Sequence, residues 1–226
     1  MSLLKEKFQY KNLKRTTING KRHYVGEDGN PVPSVTTILS ATKDMTALNQ
    51  WKKRVGQSEA QRIVTESANL GTATHNHLEH YILGTERPKG TNLVHQQAKK
   101  LSDIIIDQGM QNVNEVWAIE QHLCFPNLYA GTADMICEYD GMPAIGDFKT
   151  SRKVKKKEWI DDYFIQCAAY ALAHNEVYGT DIQAGIILIV SHSGEYQQFM
   201  VKDKEFDTYT NKWLDKVEEF YKLTNK

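Results

Sequence analysis

One dipeptide, Asp140-Gly141, constrains this chain more than any other feature. It stands between two runs of β-forming residues. A two-residue hairpin turn wants positive φ at both central positions, and Asp-Gly accepts that. With those two residues as the turn, Tyr139 pairs with Met142. The same register sets Asp134 opposite Asp147, and Lys149 lies two residues further on the same face. Directly opposed side chains have Cβ atoms about 4.5–5.5 Å apart. Two carboxylates that close repel each other unless positive charge lies between them. A divalent cation supplies it, and hard oxygen ligands suit magnesium, with manganese as the alternative. A lysine at the edge of such a site can position and polarise a water. The competing reading is a surface hairpin with scattered charge. A bulge beside the turn would also destroy the pairing.

The strand before this hairpin adds a third carboxylate whose register stays open. The run 113–125 reads as a strand, Pro126-Asn127 as a turn, and 129–139 as the return strand. A two-residue turn puts Glu120 opposite Ala133. A three-residue loop puts it opposite Asp134 itself. A solvent-facing strand glutamate is the bland alternative.

After Lys149 comes the run Thr150-Ser151-Arg152-Lys153-Val154-Lys155-Lys156-Lys157. It carries five cations in six positions from Arg152 onward. Beside a carboxylate pair it suits a passing phosphate backbone, with Thr150, Arg152 and Lys153 nearest the site. A second basic cluster, Lys52, Lys53, Arg54 and Arg62, is either a solvated face or a polyanion contact. These patches matter because the formal net charge is zero, so no global field advertises nucleic acid.

The 226 residues suffice to bury a core without staples, and 40% hydrophobic with 25% charged content is ordinary for a globular chain. Three cysteines, Cys124, Cys137 and Cys167, show neither a disulfide framework nor a zinc spacing, which points to reduced thiols in a cytoplasmic protein. No apolar leader and no membrane-length run are present, so no membrane association is expected.

Along the chain, 1–32 reads as an irregular start with a short hairpin around 21–25. Ser34 is the expected N-cap of a short helix. The stretch 44–83 is helical in two or more pieces, with Gly56 as a break and Gly84 as a C-cap. Its apolar positions Trp51, Val55, Ile63, Val64, Ala68 and Leu78 recur at helical intervals. A further helix covers 93–108. After the cation run a helix spans 158–177, with Trp159, Tyr163, Gln166 and Tyr170 on one stripe. A buried strand at 186–190, a strand at 195–201 and an amphipathic helix at 205–221 complete the pattern. The chain divides into a mainly helical part (33–112), a sheet core (113–201) and a C-terminal helix (202–226).

The histidines of GTATHNHLEH invite a zinc reading, since His75, His77 and His80 echo the H-x-H-x-D-H motif of metallo-β-lactamase-like hydrolases. At 100° per residue, however, His75 and Glu79 share a face while His77 points roughly opposite. On a helix the three do not converge.

Taken in order, G-x-x-x-H (Gly71 to His75), G-x-x-D (Gly131 to Asp134), D-x-K (Asp147-Phe148-Lys149) and Q-x-x-x-Y (Gln166 to Tyr170) resemble the nuclease domain of the RecB-like branch of the PD-(D/E)XK superfamily. Glu120 stands where many members have a strand glutamate. The early PSVTTILSAT looks like phage exonucleases, and the resemblance covers roughly 33–201. It implies an α/β, restriction-endonuclease-like core: a central mixed β-sheet flanked by helices, with a helical N-terminal half. It implies metal-dependent hydrolysis of DNA at ends or in single strands, alongside replication or recombination proteins, in a host cytoplasm for a phage protein. It also implies that His75, Asp134, Asp147 and the Phe148 carbonyl hold magnesium, that Lys149 orients the attacking water, and that Gln166 and Tyr170 contact DNA or brace the site. Some relatives carry an iron–sulfur cluster on four cysteines. No cysteine precedes Cys124 or follows Cys167 here, so none is expected. A non-catalytic nucleic-acid-binding protein on the same scaffold is the alternative, and a zinc hydrolase the more distant one.

Overall fold

The computed structural model describes residues 2–26 and 28–224. Its centre is a five-stranded sheet in the order β4 (Val113–Phe125), β5 (Tyr129–Tyr139), β6 (Met142–Ser151), β7 (Ala184–Ser191) and β8 (Tyr196–Lys202). These labels continue from a small antiparallel sheet of β1 (Arg15–Ile18), β2 (Lys21–Val25) and β3 (Pro31–Pro33). The hairpin expected near 21–25 is therefore three-stranded. Its first turn is Asn19-Gly20, both at positive φ, the same chemistry as Asp140-Gly141.

Within the main sheet only β6 and β7 run parallel. A parallel pair needs a crossover, and α5 (Asp161–Tyr178) supplies it. Helices cover both faces. On one face α5, α6 (Asp203–Thr224) and α1 (Val35–Ala41) pack around Trp213, Phe164 and Tyr129. On the other face α3 (Gln57–Leu83) and α4 (Leu93–Gly109) pack Leu78, Ile82, Leu101 and Ile105 on the strands. Strand β7 shows the consequence. All its residues are buried, with Ile187 and Ile189 in the first core and Ile186, Leu188 and Val190 in the second. A strand covered on both sides reads as a continuous apolar run.

The local signals act as their chemistry predicts. Ser34 accepts a hydrogen bond from the Thr37 amide at 3.0 Å and caps α1, an interaction worth about 1 kcal/mol. Gly56, at φ +89°, separates α2 (Thr46–Val55) from α3. Gly84 and Gly179 close α3 and α5 in the left-handed conformation.

One expectation needs correction, and one apolar pattern needs its burial stated. The helix expected over 158–177 starts only at Asp161, because Ile160 has φ −121° and Trp159 belongs to a separate short 3-10 turn, Lys157–Trp159. The apolar positions of 44–83 are not all core. Helix α2 buries no residue, and Val64 and Ala68 are exposed.

Candidate active site

Strands β5 and β6 pair in the register that the Asp140-Gly141 turn demands, from Tyr139↔Met142 to Met135↔Gly146. Both turn residues have positive φ. The pairing ends one position short of the aspartates. There the Phe148 amide, which a continuing ladder would offer to the β5 backbone, donates instead to Asp134 Oδ2 at 2.9 Å. That bond ties the two strands together at the level of the aspartates, where the backbone ladder stops.

Loop length decides the position of Glu120. Phe125 pairs with Tyr129 across the three residues Pro126, Asn127 and Leu128, so Glu120 falls between the pairs Ile119↔Met135 and Gln121↔Ala133, level with Asp134. Glu120 itself has φ +47°, which is rare for a residue with a side chain and is found where surrounding structure over-determines a functional position. Helix α3 contributes His75. Its Nδ1 lies 3.4 Å from Glu120 Oε1 and 3.7 Å from Asp134 Oδ2. Its Nε2 donates to the Phe148 carbonyl at 2.8 Å. His75, Glu120 and Asp134 offer ligand atoms that all lie within 4.8 Å of one another.

Asp147 stands beside this group rather than in it. Its Oδ1 accepts from Lys149 Nζ at 2.5 Å, while its Oδ2 is buried with no partner. Burial, opposed by Lys149 and reinforced by Asp134, pushes its carboxyl up to about 7. Burial works against charge on Lys149, but Asp147 and then Asp134 hold the ammonium above its usual range. Burial likewise opposes charge on His75, and Asp134 with Glu120 overcomes it, pushing the imidazole up to about 9. The pattern is that of a site with surplus negative charge, in which His75 and Lys149 supply what positive charge there is.

The residues fit a divalent cation. One imidazole and two carboxylates converge, with the Asp147 carboxylate and the Phe148 carbonyl next to them, a set dominated by hard oxygen donors. The orphaned Asp147 oxygen would gain a partner, which a buried carboxylate oxygen otherwise lacks at a cost.

The G-x-x-D and Q-x-x-x-Y motifs lock together. A Cβ on Gly131 would lie 2.7 Å from Tyr170 Cε1, so the glycine makes room for the ring. Gln166 Nε2 donates to the Tyr170 hydroxyl at 3.2 Å. Tyr170 is only 3% exposed and packs on β5 at Gly131, so of the two roles expected for it, burial fits bracing and not contact with DNA. Gly71 differs, because its added Cβ would meet only Thr150 Oγ1 at an ordinary 3.6 Å.

The other histidines go elsewhere. His77 is buried in the interior, with burial holding its pKa down, and His80 bonds Thr85. His174 is buried between Tyr10 and Thr180, and His122 accepts from the Leu13 amide. The zinc reading of HNHLEH therefore lacks a convergent ligand set. Arg152 and Lys153 are exposed beside the site, while Arg62 is tied to Glu59 and Glu66 on its own helix. Among the described residues no helix is long and apolar enough to cross a membrane.

A mixed sheet flanked by helices, carrying these motifs in this order, has the form of a PD-(D/E)XK-like nuclease. The chain is similar to mitochondrial genome maintenance exonuclease 1 of Xenopus tropicalis, with 28% identity over 211 residues covering 84% of this chain and 58% of the relative. The Homo sapiens protein of that name is 28% identical over 207 residues, with the same coverages. The chain thus spans 58% of the length of these relatives. A crystal structure of a candidate exonuclease from Eubacterium rectale superposes with a TM-score of 0.46 at 15% identity, covering 68% of this chain and 64% of the other. An alkaline exonuclease from Laribacter hongkongensis superposes with a TM-score of 0.31 at 10% identity, covering 86% and 92%. No protein-family profile matches the chain.

Proposed function

We propose that this chain is the catalytic core of a magnesium-dependent DNA exonuclease of the RecB-like type. It would hydrolyse phosphodiester bonds at DNA ends or in single strands, in replication, recombination or DNA degradation. The observation that carries this reading is the convergence of His75, Glu120 and Asp134 beside the ion pair of buried Asp147 with half-buried Lys149. The names of the similar exonucleases support it.

Asp134, Asp147, His75 and the Phe148 carbonyl would hold the cation, with Glu120 as a further carboxylate. A bound divalent ion would supply charge stabilisation at the attacked phosphate and a more acidic water. The chain's own groups do the rest. Lys149 is held charged by Asp147, so it acts as a donor that orients the attacking water by its oxygen. Tyr170 and Gln166 fix the height of β5 under Asp134. Thr150, Arg152 and Lys153 meet the phosphates on one flank.

The test is digestion of end-labelled single-stranded, duplex, flapped and circular DNA with magnesium or manganese. The reading expects linear single strands to be cut and circles to survive, with activity abolished by chelation. Binding of all four with cutting of none would favour the non-catalytic alternative.

A further inference from the structure

A groove of about 600 Å³ is walled by Ile63 and Ser67 on the first half of α3 and reaches Thr150, next to Lys149. Its walls carry Trp51 from α2, Trp159 from the 3-10 turn, Tyr163 from α5, and the cations Arg152, Lys153 and Lys155. We infer that this groove cradles an unpaired polynucleotide strand by base stacking, and that Trp159 is the residue that lets the protein distinguish unpaired bases from paired ones. The inference rests on the nuclease reading above and deepens it.

Trp159 is 64% exposed. Tryptophan carries a large apolar surface and is highly buried on average, so an exposed indole beside a reactive centre calls for an occupant. Nothing in the core holds it there. It belongs to neither α5 nor the sheet, and its neighbour Lys156 places an ammonium 5.4 Å from the ring centroid. Trp51 stands on a helix that buries no residue at all.

The cations are held rather than left loose. The Lys155 amide donates to Gln197 Oε1 at 2.6 Å, and Gln197 Nε2 donates back to the Lys155 carbonyl at 2.9 Å. The loop that carries them is thereby pinned to β8. Lys157 is anchored on Glu205 at 2.6 Å. The groove leads directly to the site, since Tyr163 lines it and its ring centroid lies 5.0 Å from Lys149 Nζ.

Charge sets the occupant. On the other flank of His75 the cleft holds Glu79 and Glu120, with Arg15 as its cation. Without a bound cation, a polyanion is therefore favoured in the groove over the cleft. Aromatic platforms interleaved with cations bind single strands, because every unpaired base offers a face to stack. A duplex keeps its base faces stacked internally and presents phosphates, sugars and base edges instead.

The experiment measures equilibrium binding of the full chain, in EDTA, to a short oligothymidylate and to an abasic strand of equal length. The phosphates are the same and only the bases differ. Wild type should prefer the oligothymidylate by about tenfold or more. Trp159→Ala should remove most of that preference while holding its affinity for the abasic strand. Arg152→Glu should weaken both strands alike. Equal wild-type affinity for the two strands, or a full preference surviving in Trp159→Ala, would overturn the inference. Digestion of the same oligothymidylate with magnesium separates the two readings. Cutting without base-dependent binding refutes the groove and leaves the nuclease standing. Base-dependent binding without cutting upholds the groove and refutes the nuclease.

Discussion

Helix α3 is one continuous rod with two different lives. Its second half presses on the sheet through Leu70, Ala73, Thr74, Leu78 and Ile82, all buried, and delivers His75 to the carboxylates. Its first half buries only Ala60 and, with α2, forms a wall of the basic groove. The difference teaches that framework and substrate surface can share a helix when packing stops partway along it. A histidine on the packed half is held to the geometry of the sheet. Side chains on the other half are free to meet something that is not protein.

The largest effects should separate those halves. Leu78→Ala, at a fully buried position, should cost about 2–5 kcal/mol of stability through lost burial and a residual cavity. Val64→Ala, at a position 48% exposed, should stay within about 0.5 kcal/mol. Denaturant melts of both variants check this, and similar losses would mean that the two halves are packed alike.

The two motif glycines sharpen the same contrast on a smaller scale. Gly131→Ala drives a methyl to 2.7 Å from the Tyr170 ring. It should cost about 1–3 kcal/mol as overpacking, lowering Tm by roughly 2–10 °C. Gly71→Ala meets only an ordinary contact within a helix, and should stabilise the protein by about 0.5–1 kcal/mol. Equal costs at both positions would show that the G-x-x-x-H glycine is also a steric requirement.

Much of this architecture was legible because β-structure has a strict period of two. One turn dipeptide therefore set the β5–β6 register as far as Met135↔Gly146, the pair next to Asp134 and Asp147. The Glu120 register stayed open for want of one residue. Pro126-Asn127 signals a turn but not whether Leu128 belongs to it, and Asn127 at φ +62° completes a three-residue loop. The left-handed backbone at Glu120 carries no local signal, since no glycine or asparagine marks it. The Trp159 stripe failed for a similar reason. A helical period continues on paper through Ile160, where no proline or glycine announces the break. Helical spacing also cannot tell whether an apolar stripe has a neighbour: Val64 and Ala68 share the spacing that leads to buried Leu78 and are exposed. Asn19-Gly20 is the opposite case, a plain hairpin signal between β1 and β2 that the reading of an irregular start passes over.

The most direct test compares magnesium-dependent digestion of single-stranded DNA by wild type and Asp134→Asn. The substitution keeps the shape of the side chain and removes one of the charges around which His75, Glu120 and Asp147 are arranged. Cutting should fall by about 100-fold or more with the melting profile retained. A variant that cuts as fast as wild type would contradict the proposal that these carboxylates hold the ion that does the chemistry.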